Sequence, residues 1–138
     1  MKPSEIRREL LDQHAEIRRR LDAARFAEPK DLHAALVRLA DYLRVHNLRE
    51  EELMTDIFPQ LDAWGMIRAE VMVGEHLEEH RESWETVLEA SATLDNAAAA
   101  AKTRELCERI QQHMLREEKV FLNEEVLSDE ATADYFGG

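Results

Sequence analysis

A chain of 138 residues is long enough to bury one domain core without disulfide staples. Its 30 acidic against 18 basic residues, a formal net charge of -12, exclude the basic face that nucleic acid or an anionic membrane requires, and its single cysteine, Cys107, excludes an internal disulfide framework. Apolar runs are too short to span a bilayer and the opening MKPSEIRREL lacks a signal-peptide core, so a soluble, cytoplasmic protein in a reducing compartment is expected.

Ala, Leu, Glu and Arg dominate, and only 4 Gly and 3 Pro interrupt them, which predicts an all-α domain. The first predicted helix begins near Ser4, taken as its N-cap, and runs to about Phe26 with Ile6, Leu10, Ile17 and Leu21 on one side. After the link Ala27 to Lys30, Asp31 is the expected cap of a second helix. That helix carries Leu32, Leu36, Leu39, Leu43 and Leu53 and stops before Phe58-Pro59. Phe58 to Met66 reads as a folded-over loop. A third helix spans about Ile67 to Ser91, with Val73, Leu77, Trp84, Val87 and Leu88 as core residues. Asp95-Asn96 marks the next break. The fourth helix runs from Ala97 to about Leu122, fraying toward Leu127, and a polar tail follows that Tyr135 and Phe136 could pin. Short links between four such helices predict an up-down-up-down antiparallel four-helix bundle. The whole chain, 1–138, is one domain, with the bundle over about 4–122 and a tail over about 128–138.

Each predicted helix carries a histidine, and on three of them it sits on an apolar stripe. His14 lies with Leu10, Ile17 and Leu21, His46 with Leu43 and Leu53, and His113 with Leu106, Ile110 and Val120; His76 and His80 sit near the middle of helix three. A residue four positions on is rotated by only about 40°, so His46 with Glu50, His76 with His80, and His113 with Glu117 each share a face. Glu51 and Glu118, rotated by about 140° from their histidines, point elsewhere. His33 stands 13 positions before His46 and is turned by about 220°, onto another face. A buried imidazole without partners costs about 1–3 kcal/mol, and coordination of a cation removes that penalty. Five histidines and two glutamates exceed one tetrahedral zinc site and suit two metals with the glutamates between them. The Glu-x-x-His spacing of ferritin-like sites and the H-E-x-x-H motif of zinc proteases are both absent from the sequence.

This ordered set, His14, His46-Glu50, His76-His80 and His113-Glu117, resembles the hemerythrin-like family, the HHE cation-binding domains, over about Ser4 to Leu122. The resemblance implies two iron ions joined by Glu50, Glu117 and an oxo or hydroxo bridge. One iron would take His76, His80 and His113; the other would take His14 and His46 and keep an open position for O2 or another small diatomic ligand. In oxygen-carrying hemerythrins the helix-four carboxylate is an aspartate five residues after its histidine. Glu118 occupies that place here, which makes it the alternative bridge to Glu117. Tyr42, one turn before His46, is expected in the core and stands within reach of the open iron as a donor or ligand. Met54, Met72 and Trp84 are core residues that could line the ligand pocket, and Cys107 is a small buried hydrophobe. The leading expectation is a ligand-binding metalloprotein for oxygen storage, delivery or sensing, placed ahead of an enzyme. A second reading is a di-iron enzyme handling nitric oxide or peroxide, or repairing iron centres. Repair-type relatives often carry a cysteine-bearing N-terminal segment, whereas this sequence opens on helix one. A third is an iron-sensing module whose state an unknown protein partner reads.

Overall fold

The computed structural model describes residues 1–92 and 96–129; the side chains of Met72, Glu75, His76, Glu79, Ala90, Ser91, Ala92 and Asn96 lie outside the description. Expectations for the side chains of Met72 and His76, for Asp95 and for Tyr135 and Phe136 therefore fall outside the described residues. The order is α1 (Pro3–Arg25), α2 (Pro29–Ile57), a 3-10 turn (Phe58–Gln60), α3 (Ala63–Ala92) and α4 (Asn96–Val120), with no strand among the described residues. Each α-helix packs on the next, and α1 also packs on α4, which makes a helical bundle.

Proline, not the side chain of the N-cap residue, starts the first two helices, and on α1 the Glu5 carboxylate also accepts the Lys2 N–H at 2.9 Å. Ring closure fixes φ near its helical value and removes an N–H that would lack a partner in the first turn, so Pro3 and Pro29 open α1 and α2. The N-cap residues are Lys2 and Glu28, both extended, instead of the expected Ser4 and Asp31. Ser4 is itself capped from far along the chain: its N–H and hydroxyl donate to Asp129 at 3.1 and 2.7 Å. Asp31 lies in the first turn of α2, where its charge complements the helix dipole.

Helix α3 starts earlier than the Pro, Gly and Trp of the preceding stretch suggested. The Asp62 carboxylate accepts the Gly65 N–H at 2.6 Å, a helix-start bond that brings Trp64, Gly65 and Met66 into the helix. A Cβ on Gly65 would lie 3.1 Å from that same carboxylate oxygen, so a larger residue here would press on the helix-start bond. Helix α4 ends at Val120 without fraying onward. Asn123 organises the next turn: its side-chain oxygen accepts from Glu125 and Val126, and its amide donates to the Lys119 carbonyl. The turn returns Phe121, Leu122, Val126 and Leu127 to the interior.

Two apolar clusters form the core. One holds Ile17, Leu21, Leu39, Val87, Leu106 and Ile110 among its members; the other holds Ile6, Leu10, Leu53, Ile57, Phe121 and Leu127. On α3 the buried stripe runs through Ala69, Ser83 and Val87, with half-buried Val73 and His80 within about 40° of it. Leu77 and Leu88 sit about 80° and 100° from Val87, and both are about half exposed rather than in the core as expected. Leu10→Ala should therefore cost about 2–5 kcal/mol in urea unfolding, while Leu88→Gln should stay within about 0.5 kcal/mol. Equal losses would contradict this division.

Candidate metal centre

The histidines form a polar layer between the two clusters. His14 lies between Leu10 of one and Ile17 of the other; His46 lies between Leu53 and Leu43; His113 stands beside Ile110, with Phe121 two turns on. His14, His46, Glu50, His113 and Glu117 are all buried, whereas His33 is exposed. Ring centroids link His14 to His46 at 5.4 Å, His46 to His80 at 5.6 Å, and His80 to His113 at 4.9 Å. A central void of about 10 Å³, the size of one water, lies among these four rings.

Both inner carboxylates stand between histidines of different helices. Glu50 has one oxygen 2.9 Å from His46 Nε2 and 3.9 Å from His80 Nε2. Glu117 lies 3.6 Å from His14 Nε2 through one oxygen and 3.4 Å from His113 Nε2 through the other. Two donor groups result among the described residues, His46-Glu50-His80 and His80-His113-Glu117, each with ligand atoms within 4.8 Å of one another and His80 common to both. His76 belongs to α3, but its side chain is not among those described.

Several contacts that the sequence reading missed hold this layer from behind. His46 Nδ1 lies 2.6 Å from the Gln13 amide oxygen, Gln13 donates to Glu9 at 3.1 Å, and Arg49 grips both Glu9 oxygens at 2.7 and 2.8 Å. An Nδ1–H donated to Gln13 leaves the His46 Nε2 lone pair facing a Glu50 oxygen. Two acceptors at 2.9 Å need a proton or a cation between them. The i, i+4 spacing of Glu9 and Gln13 was visible in the sequence, yet nothing local marks Gln13 as reaching across to α2. Glu118 takes an equivalent outer position. Arg18 donates to both of its oxygens at 2.8 and 2.6 Å, and one of them lies 3.7 Å from His14 Nδ1. Tyr42 is half-buried with the Arg20 guanidinium stacked 4.7 Å over its ring, and it is not among the residues lining the central void.

Neither ring nitrogen of His14 makes a hydrogen bond, because the carboxylate oxygens at 3.6 and 3.7 Å are beyond that range. Burial disfavours the charged ring, but the carboxylates of Glu117 and Glu118, with Glu50 behind them, outweigh burial and push its pKa up to about 9. Glu118 is held down to about 2, by His14 first, against the opposing effect of burial, and then by Arg18. Burial pushes the Cys107 thiol up, and its sulfur donates weakly to the Leu21 carbonyl at 3.7 Å. The donor set fits a cation. It offers imidazole and carboxylate ligands, a void of one-water size, and buried His14 nitrogens with no hydrogen-bond partner.

Helices that bury imidazoles and carboxylates in one layer define an all-helical cation-binding domain. Within that class, the chain belongs to the hemerythrin HHE cation-binding domain family, whose sequence pattern matches residues 5–124. No curated protein and no solved structure matches it. No helix among the described residues is long and apolar enough to cross a membrane.

The inner layer of the metal-free protein carries two predictions. Because the folded His14 pKa is raised, the stability it contributes is full below about pH 6.5 and is lost as pH rises through about 9. Urea midpoints should fall between pH 7 and 9.5, and His14→Gln should flatten that fall; an unchanged slope would contradict the assignment. Gln13→Leu removes the acceptor of a buried ring nitrogen and should cost about 1–3 kcal/mol, measured by the same unfolding at pH 7.

Proposed function

We propose that this domain is an up-down-up-down four-helix bundle holding two iron ions, and that it binds O2 or a similar small ligand at one of them. The observation that carries the reading is the position of the two buried carboxylates. Glu50 stands between His46 and His80, and Glu117 between His14 and His113. Grouping His14 with His46, and His80 with His113 and His76, gives each carboxylate one neighbour in each group. Glu50 and Glu117 are then the residues that join two metal positions. Glu118, already engaged by Arg18, orients His14 from outside.

When bound, the iron pair supplies the redox chemistry that O2 binding requires. The chain's own residues do the rest. Gln13 fixes the ring of His46, presenting Nε2 to the interior. Ile17, Leu43, Ile110 and Met114 line the central void and limit water there. The group with only two histidines, His14 and His46, is the one that would keep a ligand position.

Iron counting with variants tests the reading. The loaded protein should hold two irons per chain, His33→Ala should keep both, and His80→Ala should release or weaken one because His80 belongs to one of the two groups. Equal iron in the two variants would overturn the site. An absorption band that appears when the reduced, iron-loaded protein meets O2 and fades when the gas is removed would support reversible binding. A permanent spectral change would exclude oxygen carriage.

A further inference from the structure

A second cavity lies outside the histidine layer. Helices α2 and α3 enclose an open groove of about 600 Å³, within the range of small-molecule sites and far larger than a diatomic ligand needs. Its floor is Glu50 and His80, and the His80 side chain is 15% exposed while that of His14 is fully buried. The walls are apolar: Leu48, Met54, Val73, Leu77 and Trp84. Leu48 and Leu77 are 56% and 54% exposed, so an occupant would cover apolar surface now in water.

Charge selects the occupant. Arg44 and Arg81 line the groove, both exposed, and neither is in an ion pair or hydrogen bond among the described residues. Arg7, Arg18, Arg19, Arg20, Arg49 and Arg68 pair with carboxylates, whereas Arg44 and Arg81 keep their guanidiniums for an occupant of the groove. The groove is polarised along its length. Trp84 packs with the first apolar cluster and Val73 with the second, so Arg44, Arg81 and Trp84 mark one end and Met54 and Val73 the other. Glu51, two turns beyond Arg44 on α2, repels an anion from the far end and favours one orientation. Asn47 lines both the groove and the central void, and its buried side-chain oxygen has no hydrogen bond.

We propose that this groove binds an organic carboxylate with an apolar body, its carboxylate held by Arg44 and Arg81 and its body lying along Leu77, Met54 and Val73. Such a molecule would lie over Glu50 and His80, on the solvent side of the histidine layer. The site needs no metal, so it is testable apart from the iron reading.

Trp64→Phe leaves Trp84, on the groove wall, as the one tryptophan of the chain. In that background, metal-free, octanoate should change Trp84 fluorescence saturably; octanamide should bind about ten- to a hundredfold more weakly, because a charge-assisted contact contributes about 1.5–3 kcal/mol, and acetate, which lacks the apolar body, should not bind. Arg44→Gln with Arg81→Gln should remove the preference for octanoate while urea unfolding and iron content stay unchanged. Leu77→Trp, which fills the groove from an exposed position, should abolish binding of both eight-carbon probes, measured by equilibrium dialysis. Equal binding of octanoate and octanamide would overturn the carboxylate assignment. Absence of saturation, or a Trp84 signal that tracks protein concentration with dimers in sedimentation, would overturn the groove as a small-molecule site.

Discussion

The structure turns on a polar layer placed where a bundle of this size would otherwise have its driest core. Buried ionisable groups that lack partners cost about 1–3 kcal/mol each, more when charged, against a total stability of about 5–15 kcal/mol. His14, His46, Glu50, His113 and Glu117 together put that whole margin at stake. They coexist because each carboxylate lies between two imidazoles, so every inner negative charge has a proton or a cation to share. The apolar clusters above and below hold the four helices at the separation this requires.

Support for that layer comes mainly from α1. Arg49, Glu9 and Gln13 form one line from the surface to His46; Arg18 and Glu118 form another to His14. Each line begins at an arginine and ends on the outward nitrogen of a ring, so the inward nitrogen is the one left for a cation. The start of α1 is fixed in turn by Asp129 on Ser4, and the N-terminal ammonium by Asp56 on α2 at 3.1 Å. Register along α1 therefore sets the aim of two imidazoles.

Much of this was legible in the sequence because it depends on helical periodicity. The apolar stripes and the four-residue spacings were enough to bring His46 beside Glu50 and His113 beside Glu117, and to leave His33 outside. Helix starts were less legible: Ser and Asp look like caps, but an adjacent proline had already determined where the turn begins. Gly65 looked like a loop residue because its reason, the close approach of Asp62, exists only once the helix has formed. Gln13 and Arg18 were silent for a different cause. Their partners lie on other helices, and one sequence carries no mark of a contact between elements.

Exposure around the layer is uneven, and that asymmetry bears on how the centre would be used. On the α1 side, His14 is sealed by Glu118, Arg18 and the packing of α1 on α4. On the α3 side, His80 is the most exposed ring of the layer among the described residues, facing a groove with half-exposed leucines in its walls. A cation entering from the α2–α3 seam would meet Glu50 and His80 first, and these two already belong to the first donor group. The sealed histidines would then be the last to engage, and His14 must release its proton before it can. An occupant of the groove would stand over Glu50 and His80 without touching the rings that α1 holds in place.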